Sequence, residues 1–68
     1  MRINKTKVQL AMMKSGINDQ KTLAERSGLN PNTVSLLLRG AAIKPQTLAK
    51  LAYILSVEPE SILMEDAQ

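Results

Sequence analysis

A chain of 68 residues, 44% hydrophobic and without cysteine or histidine, is one domain at most, and folding at this size buries only about 60% of the surface the unfolded chain exposes. No disulfide can staple it, thiolate and imidazole metal sites are excluded, no cofactor is expected, and the apolar content is too high for a disordered tail. The net charge of +3 hides an asymmetry: all nine basic residues precede Leu51 against only Asp19 and Glu25, giving +7, whereas the four remaining acidic residues, Glu58, Glu60, Glu65 and Asp66, give the last part −4.

The basic start leads into a short apolar stretch, Val8 to Met13, which Lys14 ends before a signal-peptide core can form. No apolar run is long enough to span a bilayer. The reading is a soluble, cytoplasmic protein with no membrane partner and no small-molecule ligand. Its apolar residues are almost all Leu, Ala, Ile, Val and Met, a composition suited to helices.

In chain order, the first helix is expected from about Asn4 to Ser15, with Val8, Ala11, Met12 and Ser15 at helical spacing and Gly16 as its stop. The arm before it, Met1 to Lys7, is read as a disordered basic terminus in preference to a DNA-reading arm. The second helix, about 19–27, starts at Asp19, whose carboxylate suits an N-cap, and turns Leu23 and Ala24 inward. The third, about 31–39, has Asn30 as N-cap, Pro31 at the first position where no N–H is needed, and Gly40 past its end. Pro45 opens a fourth, striped by Leu48, Leu51, Ala52 and Leu55 at i, i+3, i+4, i+7. A fifth short turn of helix begins at Glu58-Pro59 and offers Ile62 and Leu63 to the core. Tyr53, the one aromatic, is read as a helix-surface residue lying over that core. The sum is an all-α, compact five-helix bundle over residues 1–68, with loops of a few residues.

Between the second and third helices the turn Ser27-Gly28-Leu29-Asn30 is tight enough to need the positive φ that Gly28 allows. Two short helices joined in this way form a helix-turn-helix, whose second helix can enter a DNA major groove about 12 Å wide. On that helix Val34, Leu37, Leu38 and Ala41 are expected on the core face. Asn32, Ser35, Leu36 and Arg39 fall on the opposite one. Asn32 can bond adenine N6 and N7, Thr33 and Ser35 can bond phosphate or a base edge, and Leu36 can meet a thymine methyl or simply widen the buried stripe.

The run Gln20-Lys21-Thr22-Leu23-Ala24-Glu25-Arg26-Ser27-Gly28-Leu29-Asn30, followed by Asn32-Thr33-Val34-Ser35-Leu36-Leu37-Leu38-Arg39-Gly40, resembles the Cro/CI-type (XRE-like) helix-turn-helix regulators of phages and bacteria. Lys44-Pro45, Leu48, Leu51-Ala52, Leu55, Val57 and Ile62-Leu63 are similar to that family's last two helices. The resemblance implies a lambda-repressor-like DNA-binding domain, and a transcriptional regulator, as a repressor, of double-stranded DNA. Asn30, Asn32, Thr33, Ser35 and Leu36 would read bases, and Gln20, Lys21, Arg39 and Lys44 would hold phosphates. One position departs: Pro31 stands where many members carry a base-reading glutamine, so direct readout is thinner and DNA shape gains weight.

A module this small makes few base contacts, so a homodimer on a pseudo-palindromic site is expected. Val57, Pro59, Ile62 and Met64 in the acidic C-terminal segment are the candidate dimer surface. Without a further sensing domain, switching is expected through dimerisation, abundance or a partner protein. Two other classes remain open. The same fold can serve as a protein-interaction module, such as an antitoxin or anti-repressor, through Leu36 beside Leu37-Leu38. An enzyme is disfavoured, because no His or Cys, no spaced carboxylate pair and no glycine-rich phosphate loop is available.

Overall fold

The computed structural model describes residues 1–64. Glu65 and Asp66, half of the expected acidic tail, lie outside the described residues. Four α-helices follow one another: α1 (Lys5–Lys14), α2 (Gln20–Ser27), α3 (Pro31–Leu38) and α4 (Pro45–Leu55). Each stops by the same device. The N–H of the second residue past α2 and α4, and of the third past α1 and α3, reaches back six positions inclusive: Ile17 to Met12, Leu29 to Ala24, Ala41 to Leu36 and Val57 to Ala52. The residue before it is left-handed or nearly so: Gly16, Gly28 and Gly40, then Ser56 at φ 58°. This is a Schellman ending, which satisfies carbonyls that an α-helix leaves free.

The helix starts are as regular. Asn4, Asp19 and Asn30 each accept a backbone N–H of the first turn, from Lys7, Thr22 and Asn32 at 3.0, 2.8 and 2.8 Å. Ahead of three helix starts stands an apolar residue paired by position with one in the helix: Ile3 with Val8, Leu29 with Val34, Ile43 with Leu48. That is the spacing of a hydrophobic staple. All six belong to or pack against a single core, which Leu23, Leu37, Leu51 and Leu55 complete. The Cα radius of gyration, 10.7 Å, matches the value of about 11 Å expected for one folded body of this length.

Four expectations need correction. The fifth helix is a four-residue 3-10 turn, Pro59–Ile62. The N-terminal segment takes up its exit: Asn4 N–H donates to the Ile62 carbonyl, Met64 N–H to the Arg2 carbonyl, and Ile3 pairs with Leu63 as an isolated antiparallel bridge. The N-terminal arm is therefore not a loose basic terminus. Ile3 is buried, and the Met1 carbonyl accepts from Ile43 N–H at 2.7 Å in the loop between α3 and α4. Ala41 is exposed, since the Schellman ending at Gly40 takes it off the helical path. Tyr53 is 83% exposed and does not lie over the core; Leu48, Leu51, Ala52 and Leu55 already fill the inward face of α4.

Candidate nucleic-acid interface

The helix-turn-helix is built around a small residue. Ala24 has no exposed surface and Leu23 1%, and they meet Val34 (1%) and Leu37 (5%) in the core. At the turn, Ser27 is buried, and its hydroxyl donates to the Leu23 carbonyl at 2.7 Å, so the polar group is satisfied without solvent. Gly28, at φ 74°, then redirects the chain. A β-carbon there would meet nothing within 4 Å, so the requirement for glycine comes from the backbone conformation alone.

That turn presents α3 with two unlike faces. Val34, Leu37 and Leu38 are buried, whereas Asn32, Thr33, Leu36 and Arg39 are exposed and Ser35 half-buried. Leu36, at 54% exposed, does not widen the buried stripe. Asn30 is exposed, but its Oδ1 is engaged by Asn32 N–H, leaving its amide N–H groups for an outside acceptor. Asn32 keeps its whole carboxamide, beside the start of the helix.

Charges flank this face. Arg39 follows α3, and Lys44 precedes α4, whose first turn has no side-chain cap; both cations are exposed. The free N–H groups at that uncapped start add to the positive potential around Lys44. Gln20 and Lys21 open α2 and are exposed. There the helix start is not vacant for an anion: Asp19 is held below the usual carboxylate range, first by the Thr22 backbone N–H, then by the Thr22 hydroxyl, with Lys21 adding to the effect. Its ionised carboxylate occupies the N-terminus. The cap takes the Thr22 N–H, so a phosphate at this end would meet the Gln20 and Lys21 backbone N–H groups and side chains beside a carboxylate of like charge.

The four candidate dimer residues separate. Ile62 is 1% exposed in the core of its own chain and has no surface to give a partner; Val57 and Pro59 are half-buried and Met64 is 44% exposed. Sequence reasoning missed the docked start of the chain, which brings Met1 against the α3–α4 loop and Arg2 against Met64. The signal was Ile3 immediately before the capping Asn4 and five residues before Val8, the staple spacing.

The family model described as "Cro/C1-type HTH DNA-binding domain" matches residues 7–65. The chain belongs to this family. Membership in the Cro/C1-type family makes it a DNA-binding helix-turn-helix domain, and α2, the Gly28 turn and α3 are the helix-turn-helix. No curated protein matches it. Among solved structures, this Cro/C1-type domain is similar to part of a point mutant of hydroxyethylphosphonate dioxygenase, with TM-score 0.78 and 26% identity over 100% of this chain. The match spans 15% of that dioxygenase chain. Among the described residues no helix is long and apolar enough to cross a membrane.

Proposed function

We propose that this domain is a sequence-specific transcriptional regulator, acting as a repressor in the cytoplasm, which lays α3 in the major groove of double-stranded DNA. The observation that carries the reading is the exposed face of α3, where Asn32, Thr33 and Leu36 stand together over a fully buried opposite face. Asn32 reads adenine, Leu36 covers a thymine methyl, and Thr33, Ser35 and the amide of Asn30 supply further bonds to base edges. Arg39, Lys44, Gln20 and Lys21 fix the register by holding phosphates, and the Asp19 carboxylate weakens the contribution of the last two. Two copies bind a pseudo-palindromic operator, with half-sites about 34–36 Å apart. Val57, Pro59 and Met64 contribute to the contact between them.

Base readout and phosphate contact respond differently to substitution. Asn32→Ala is expected to weaken operator binding by roughly 10- to 100-fold and to relax the preference at a single base pair. Arg39→Ala is expected to weaken all duplexes alike and to lower the salt slope by about 1. Fluorescence anisotropy on the operator and on single-base variants measures both. If Asn32→Ala weakens every duplex equally, α3 does not read bases.

A second reading is favoured by the partial match to the dioxygenase: the same fold is carried as 15% of an enzyme chain. In that case the domain would be a docking module, with Leu36 at a protein contact, and both substitutions would leave complex formation with the partner intact. No catalytic role is proposed for the domain itself.

A further inference from the structure

Of the four α-helices, α1, α2 and α3 each start behind a side chain that accepts a first-turn N–H, and α4 does not. Lys44 stands at its N-cap, exposed and without a capping bond. A cap fixes where a helix begins and how the chain enters it. At α4 the hold comes instead from the far end of the sequence: Ile43 N–H donates to the Met1 carbonyl at 2.7 Å. The Ile43 side chain is buried in the core.

The Met1 carbonyl is itself carried on a fixed segment. Ile3 is buried and pairs with Leu63. On either side of it the Arg2 carbonyl accepts from Met64 N–H and Asn4 N–H donates to the Ile62 carbonyl, both at 2.8 Å, and the Asn4 side chain caps α1. Met1 is thus one peptide away from a pinned strand, and Lys44 is one residue away from the N–H that Met1 holds. Because the peptide unit is planar, only the two Ile43 dihedrals separate that N–H from the Lys44 backbone. Burial of the Ile43 side chain restricts both.

We propose that residues 1–3 are a positioning segment for DNA binding: through the Met1 carbonyl they hold Ile43, and so set the Lys44 backbone where its ammonium reaches a phosphate. The inference rests on the reading of Lys44 as a phosphate contact and extends it to residues that act only through another. A lysine on a fixed backbone loses less freedom in closing on a phosphate than one on a loop that must first be ordered. The hold of Met1 on the loop is therefore read out as affinity, and only while Lys44 is present.

The test is a cycle of two changes. Arg2→Met lets the chain start one residue later, which removes the carbonyl of residue 1 and leaves the carbonyl at position 2, the net charge and Ile3 in place. Chains with and without residue 1 on this background, each with Lys44 or with Lys44→Ala, are titrated by fluorescence anisotropy against the tightest duplex from a random-pool selection. Removal of residue 1 is expected to weaken binding about fivefold per bound copy where Lys44 is present, and less than about twofold where it is Ala, the coupling that marks two residues acting as one. An equal loss in both backgrounds, or no loss in either while Lys44→Ala itself weakens binding, overturns the positioning role and leaves Lys44 as a phosphate contact. Binding unmoved by Lys44→Ala overturns both. Hydrogen exchange on the unaltered chain gives a reading that does not depend on the shortened chain folding. The Ile43 amide is expected to be protected along with those of Asn4 and Met64; exchange of Ile43 at the rate of a free amide, with the other two protected, overturns the proposal.

Discussion

Ser56 is the one non-glycine residue with positive φ among the described residues, at 58°. It holds the position that Gly16, Gly28 and Gly40 hold after the first three helices, and it bears the cost of a β-carbon in the left-handed region. Ser56→Gly is therefore expected to raise stability by about 0.5–1 kcal/mol, after allowing for the freer unfolded chain. In a domain this small that is a rise in Tm of a few degrees, readable by circular dichroism; a fall would show that the serine makes a contact worth more than its strain. The sequence announces three of the four helix ends through glycine and conceals the fourth, because serine carries no comparable signal. The same holds at the start of the chain. Ile3 is a single apolar residue among polar ones and has no period of its own, so its burial becomes visible only once Asn4 is seen to cap α1. Ile17 and Ile43, both buried in loops, were equally hard to see, since periodicity speaks only within helices.

At the scale of elements, capping and stripe did determine most of the architecture. Asp19, Asn30, Pro31 and Pro45 stand where α2, α3 and α4 begin, and the α4 stripe is buried throughout. The fifth element was legible as an element but not as a type. A Pro-led segment of four residues can close as an α or a 3-10 turn, and its exit is paired with Arg2, Ile3 and Asn4, far away in sequence. The two faces of α3 were read correctly over Val34 to Leu38, and Ala41 was misplaced because the helical period was extended beyond Gly40. Ala24 on α2 is wholly buried and shares the core with Val34 and Leu37 of α3, the helix packed against it. Ala24→Leu is expected to cost about 1–3 kcal/mol by overpacking and to weaken DNA binding through displacement of α3. Thermal melting and operator titration report the two effects. An unchanged Tm would mean that the crossing has room to spare, and that some other contact orients the recognition helix.

Across the whole molecule, charge and shape agree. The cations gather in the first fifty residues, with Arg39 and Lys44 flanking the free face of α3, and every charged residue after Lys50 is acidic. The family model covers residues 7–65, so the resemblance seen in the sequence holds for nearly the whole chain. The roles of individual side chains are less legible, because a base contact depends on a partner whose sequence is not written in the protein. In the proposed reading, Pro31 has no side-chain donor to offer a base, and Asn32 would be the main direct reader. That predicts a short consensus in each half-site, with the remaining preference spread over DNA shape. The most direct test is to select binding sites from a random duplex pool, then titrate the best site and a scrambled one across a salt series. An inverted repeat bound at least ~10³-fold more tightly than the scramble is expected, with log Kd against log salt giving a slope of magnitude roughly 5 if Lys21, Arg39 and Lys44 of two copies each hold a phosphate. Equal affinity for both sequences, collapsing as salt rises, would contradict the account and reduce the domain to a binder of phosphates.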